Sequence, residues 1–182
     1  FNNFLEYVTN RTQFFVCVRN DGSQANLRTL FGNRYDEKIL VIPDGGFFTK
    51  VPDISNVEIE AEKINVLINV AGDMLDVRFP VNENSISYDE FVGKFASLIN
   101  DLFNLYKPNL NVIFVPHIFR DYKVISDIID RINDRNRRTK VKVAPYLAGK
   151  TGHDYLFSLY QKSQLILAMR FHANVCSIAL EK

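Results

Sequence analysis

Arg19, His117, Arg170 and His172 each stand at the end of an apolar run of strand length. Two guanidinium groups can hold a carboxylate or a phosphate through paired hydrogen bonds, a geometry that lysine lacks. Imidazoles can deliver or accept a proton near neutral pH. A small anionic substrate undergoing acid–base chemistry would need such a set. The sharpest stretch is Leu165 to Leu180, LILAMRFHANVCSIAL, where Arg170 and His172 interrupt hydrophobic sequence between a strand and a helix. In an open α/β sheet the carboxyl ends of the strands border the ligand crevice, and a helix that starts there offers N–H groups to an anion. Blander roles exist for each residue: Arg170 capping a neighbouring element, His172 filling a core, His117 bonding a loop carbonyl. His153, beside Gly149 and Gly152, is a weaker candidate, and Asp44-Gly45-Gly46 reads as a turn before it reads as a ligand loop.

The elements that would position these groups alternate. A helix ends near Val8, and Gln13–Val18 reads as a strand rich in β-branched and aromatic residues. Asp21 or Ser23 can cap a helix over Ala25–Phe31, and Gly32 stops it. Lys38–Ile42 is a second strand. A weakly patterned stretch, 51–61, reads as a linker between residues 1–50, the end of a first Rossmann-like domain, and 62–182, a second one incomplete at its carboxyl end. In that second part strands are expected at Ile64–Ala71, Val112–Val115, Val141–Ala144 and Leu165–Met169. Helices are expected from Ser87, the first residue of a capping box with Glu90, to Tyr106, over Asp121–Asn133, over Asp154–Gln161, and after His172. Gly72–Ser85 reads as a long irregular loop of the kind that carries function. The fold class is α/β, with parallel sheets covered by helices on both faces.

Bulk properties exclude several classes. A formal charge of +1 gives no field for nucleic acid or an anionic membrane. The cluster Arg135, Arg137, Arg138, Lys140 and Lys142 reads as a solvated patch near a helix end. Cys17 and Cys176 lack metal-ligand spacing and are expected to be small buried residues of a reduced, intracellular protein. The three histidines lack helical zinc spacing, so no metal is expected. There is no phosphate-binding P-loop, no G-x-G-x-x-G and no G-x-S-x-G. No apolar run reaches the roughly 18 residues that span a bilayer, and the chain reads as a piece of something longer.

The stretch Val18–Ser23, VRNDGS, with Leu27, Leu30 and Gly32 behind it, resembles the V-R-D-x-x-S segment and helix of the polysaccharide pyruvyl transferase family. LILAMRFHANVCSIAL resembles that family's strand, M-R-x-H-A and helix, and His117 with Asp121 sits where a histidine and an acidic residue often follow the corresponding strand. Asn20 replaces the family's aspartate, with Asp21 next to it. The resemblance implies part of a two-domain fold similar to the GT-B glycosyltransferases. It also implies transfer of a pyruvyl group from phosphoenolpyruvate to a sugar hydroxyl, giving a ketal, with no cofactor. The acceptor would be a free, nucleotide-linked or lipid-linked saccharide, the setting cytoplasmic or at the inner face of the membrane, and this piece alone inactive. Arg19, Asn20, Ser23 and Arg170 would bind substrate; His172 would protonate the donor methylene and His117 assist. A nucleotide-sugar glycosyltransferase of similar fold, or a non-catalytic module that keeps the fold, are the competing expectations.

Overall fold

The computed structural model describes every residue except Phe1, Thr12, Phe14, Asp53, Ser55, Asn56, Asn82, Glu83, Asn84 and Asn133. The parts of the expected strand, linker, loop and helix that fall on those positions lie outside the described residues. The protein is mixed α/β with parallel sheets, Rossmann-like, and divides into two compact units, Phe1–Phe48 and Thr49–Lys182.

In the first unit, helix α1 (Asn2–Thr9), strand β1 (Val16–Arg19), helix α2 (Ser23–Phe31) and strand β2 (Ile39–Ile42) form a small βαβ arrangement. β1 and β2 pair in parallel, Val16 opposite Ile39 and Arg19 opposite Ile42. One face of the pair packs through Val16, Val18 and Ile39 against Leu5, Leu27, Phe31 and Tyr35. Cys17 alternates to the other face and is exposed, which corrects the expectation that both cysteines are buried; Cys176 is buried. The β2 side chains Leu40, Val41 and Ile42 are exposed as well.

The second unit is a four-stranded parallel sheet in the order β5-β4-β3-β6. Its strands are β3 (Ile64–Asn69), β4 (Leu110–Phe114), β5 (Val141–Val143) and β6 (Leu165–Ala168). Its helices are α3 (Leu75–Arg78), α4 (Tyr88–Leu105), α5 (Asp121–Asp130), α6 (Arg135–Arg138), α7 (Gly149–Lys162) and α8 (Phe171–Ala179). The central strands are buried on both faces, which is why β3 and β4 read as unbroken apolar runs. Val66 and Ile68 of β3 with Val112 and Phe114 of β4 meet the stripes of α4 and α5, including Ile99, Phe103, Val124 and Ile128. Leu67 and Ile113 point the other way, to Tyr155, Leu159 and Tyr160 of α7 and to Ala173 and Cys176 of α8. Each fully buried aliphatic or aromatic side chain stabilises such an interface by roughly 1.5–3 kcal/mol.

Two local features are worth detail. Within 51–61 some described residues are packed: Val51, Val57 and Ile59 lie on the α7–α8 side of the sheet, and Ser158 Oγ donates to the Pro52 carbonyl at 2.6 Å. Helix α7 also begins five residues before the expected Asp154, running through Gly152. A Cβ at Gly152 would lie 1.8 Å from the Leu147 carbonyl oxygen, so this glycine lets a helix turn pass against the incoming loop rather than marking an end. Ser87 does cap α4, its side chain accepting the Glu90 N–H.

Candidate functional site

Sheet order places the site. The chain runs from β3 outward to β4 and β5, then returns to lay β6 on the other side of β3. The carboxyl ends of β3 and β6 are thus the point where crossovers diverge and leave a crevice. His117, Arg170 and His172 lie at this edge, after β4 and β6, as the sequence leads one to expect.

A buried polar knot organises the edge. Asn69, the last residue of β3, donates through Nδ2 to the Val115 carbonyl at 2.9 Å and accepts the Arg170 N–H through Oδ1 at 3.0 Å. One side chain thereby ties three neighbouring strand ends. Asp121, at the start of α5 and 0% exposed, is the second tie. It accepts the N–H of Gly72 at 3.0 Å, of His117 at 2.9 Å and of Ile118 at 3.2 Å. It also accepts Arg170 Nε at 2.9 Å and Nη2 at 2.5 Å. Burial pushes the Asp121 carboxyl upward, but the guanidinium and the three N–H groups outweigh it and hold the group below the ordinary carboxylate range. Gly72 is required here because a Cβ would lie 2.3 Å from the Arg120 carbonyl oxygen.

Arg170, expected to hold substrate, instead commits its guanidinium to protein carboxylates. Besides Asp121 it donates through Nη2 to Asp73 Oδ1 at 2.8 Å, and its side chain is only 14% exposed. The Arg170 hydrogen bonds hold Asp73 below its usual range as well. The physical reason is that a carboxylate as buried as Asp121 needs a counter-charge, and Arg170 is the cation that the adjacent strand end supplies. Arg170 thereby holds together the segments that carry Asp73 and Asp121.

His172 falls in the first turn of α8 rather than before the helix, and it is exposed, so it is not a core histidine. The N-cap residue of α8 is Arg170, in extended conformation, and its own side chain makes no cap hydrogen bond. His117 is largely buried and its Nε2 lies 2.8 Å from the Tyr160 hydroxyl. Burial above all, with smaller contributions from the nearby Arg170 and His172, pushes its pKa from the ordinary 6.5 down to about 4, against the opposing pull of Asp121. It is a neutral imidazole at pH 7, and the Tyr160 hydroxyl, pushed up by burial, stays protonated beside it. His117 thus suits hydrogen bonding and not the delivery of a stored proton. His153 lies exposed on α7, its Nδ1 2.9 Å from Asp154 Oδ1.

The depressed His117 pKa has a stability consequence with a definite sign. Between pH 6.5 and 4 the unfolded chain takes up a proton at His117 that the folded chain refuses, so stability falls as pH falls through that window. The drop is expected to reach roughly 3 kcal/mol and to be much smaller in His117→Gln. Denaturant midpoints at pH 7 and 4.5 measure it, and equal losses in the two proteins would refute it. The carboxylates Asp73 and Asp121 act only below about their ordinary 3.8 and do not blur this window.

In the first unit, Arg19 ends β1 and donates through Nη1 to Asp44 Oδ2 at 2.8 Å and through Nε to Asp21 Oδ2 at 3.1 Å. Asp21 Oδ1 accepts both the N–H and the hydroxyl of Ser23, at 3.2 and 2.5 Å. The residue that caps α2 by position is Gly22, in a left-handed conformation with φ 89°, so neither Asp21 nor Ser23 is the N-cap. Asn20 is exposed, and its neighbour Asp21 joins Asp44 as a carboxylate paired with Arg19. Arg19 keeps 44% of its side-chain surface exposed.

Asn69, Asp73 and Tyr160 were not singled out from the sequence as site residues. Asn69 had a signal, a lone polar residue inside INVLINVA, whereas Asp73 sits in an irregular loop and Tyr160 reads as plain core. Among the described residues no group of histidine, cysteine and acidic side chains could hold a metal ion. No described helix is long and apolar enough to cross a membrane.

Comparison with known proteins adds a family. A family model described as polysaccharide pyruvyl transferase matches residues 2–182. No curated protein and no solved structure shows a significant match.

Proposed function

Because this chain belongs to the polysaccharide pyruvyl transferase family, a family of transferases acting in polysaccharide synthesis, we propose that it moves a pyruvyl group from phosphoenolpyruvate to a saccharide acceptor. The observation that carries the reading is His172 exposed in the first turn of α8, where β3 and β6 part.

The chemistry follows from those parts. N–H groups of the α8 first turn favour the donor's phosphate or carboxylate. His172 gives a proton to the methylene carbon of the enol phosphate, which leaves an electrophilic carbon bearing the phosphate oxygen. A sugar hydroxyl adds to that carbon, phosphate departs, and a second hydroxyl closes the ketal. Atoms balance as donor plus diol giving ketal plus inorganic phosphate. In this reading His117, neutral and hydrogen-bonded to Tyr160, bonds a hydroxyl or the departing phosphate without carrying charge. Arg170, Asp121 and Asp73 set the backbone that presents His172. In the first unit Arg19, Asn20 and Ser23 are read as substrate contacts at the carboxyl end of β1, and the units as parts of two Rossmann-like domains of GT-B type.

The test, made on the full-length protein, is consumption of phosphoenolpyruvate with release of inorganic phosphate in the presence of nucleotide-linked and lipid-linked saccharides, with a matching gain of a carboxyl-bearing ketal on the acceptor. Turnover of a nucleotide sugar without any use of phosphoenolpyruvate would replace this reading with a glycosyltransferase. Turnover of neither would leave a non-catalytic module.

A further inference from the structure

The hydrogen bonds around His117 decide which of its ring nitrogens carries the proton. His117 follows β4 at the carboxyl edge, where Asp121 holds its backbone N–H at 2.9 Å. Its ring is held separately, by Tyr160 in the last turn of α7, and the two rings meet edge-on with centroids 5.8 Å apart. Tyr160 is wholly buried among Leu67, Ile113 and Leu159 on that side of the sheet. Phenylalanine would fill the same core space, so the hydroxyl is what needs an explanation.

Among the described residues the Tyr160 hydroxyl has one hydrogen-bond partner, His117 Nε2 at 2.8 Å. A buried O–H left without an acceptor costs about 1–3 kcal/mol. The hydroxyl therefore donates and Nε2 accepts. Burial keeps the phenol protonated, and the imidazole is neutral at pH 7. A neutral imidazole whose Nε2 is bare carries its proton on Nδ1. Nδ1 has no hydrogen-bond partner among the described residues. Nor is it one of the buried side-chain atoms left without a partner, which are Asn111 Oδ1, Arg137 Nε and Arg138 Nε. Nδ1 thus keeps accessible surface, at the same edge where His172 is exposed.

We propose that Tyr160 is a positioning residue: its hydroxyl locks His117 in the Nδ1–H form, so that the imidazole offers a ligand a neutral hydrogen-bond donor and has no lone pair free to take a proton. The ligand atom that fits is an acceptor oxygen of a phosphate or carboxylate, and not a hydroxyl waiting to be deprotonated. That choice of ligand rests on the phosphoenolpyruvate reading, whereas the tautomer stands without it.

Nitrogen-15 NMR of histidine-labelled protein at pH 7, without ligand, reads the tautomer directly, the His117 signals being identified by their loss in His117→Gln. Nδ1 is expected to be protonated and Nε2 bare. In Tyr160→Phe, which removes a single oxygen from a buried ring, the Nε2–H form should make up a substantial fraction. In the full-length protein the same variant should lose phosphoenolpyruvate affinity by the factor by which its Nδ1–H fraction falls, roughly two- to tenfold. A Tyr160 that served packing alone would move neither reading. A proton on Nε2 in the parent, an unchanged tautomer in Tyr160→Phe, or unchanged phosphoenolpyruvate affinity in that variant would each overturn the proposal. A parent that makes no use of phosphoenolpyruvate yet shows the Nδ1–H form, lost in Tyr160→Phe, would sink the transferase reading while upholding the Tyr160 lock.

Discussion

Asp121→Ala is expected to destabilise the second unit by about 3–5 kcal/mol, the range for removing one partner of a buried ion pair. The size follows from what the carboxylate holds. Three backbone N–H groups, of Gly72, His117 and Ile118, lose their acceptor, and the scarcely exposed Arg170 guanidinium loses its nearest counter-charge. Asp73 remains beside Arg170 and keeps the loss from being larger. Denaturant unfolding at pH 7 measures the effect. The double variant Asp121→Ala, Arg170→Met should be less destabilised than the separate losses added together, because the cation that Asp121 neutralised is gone as well. A single-variant loss under about 1 kcal/mol would show that the knot does not stabilise the edge as its geometry indicates.

His172→Ala carries the largest expected effect on chemistry. General acid catalysis by a positioned side chain is typically worth ~10²–10⁴ in rate, so in the full-length protein turnover should fall by about that factor while affinity for phosphoenolpyruvate changes little. The split matters because a merely structural imidazole would move binding and stability and leave kcat nearly intact. Its exposure in the first turn of α8 makes a folding defect an unconvincing explanation for lost activity. Single-turnover phosphate release, with donor affinity measured separately, resolves the two. Unaltered turnover would remove His172 from the acid role and move the search to other groups at the carboxyl edge.

The parallel α/β character of the chain was legible because β3 and β4 are apolar on both faces and α4 and α5 carry regular stripes. Their existence follows from pattern alone. The beginning of α7 was not legible, because Gly149 and Gly152 read as breakers when only the contact with Leu147 shows why one of them is helical. The exposure of Cys17 was hidden for a related reason: a β1–β2 pair with one packed face leaves alternate apolar residues outside, and VCV gives no sign of it. At the site, the placement of His117, Arg170 and His172 on one edge was readable from strand ends. The partnership of Arg170 with Asp121 and Asp73 was not, since an arginine that meets a ligand and one that neutralises a buried carboxylate look identical in sequence.

The single carboxylate of Asp121 reaches segments that follow β3, β4 and β6. Those segments cannot shift one at a time without breaking a shared anchor, so the crevice base behaves as a fixed anvil. Any motion that widens or narrows this edge has to be performed by parts of the polypeptide that this anchor does not grip.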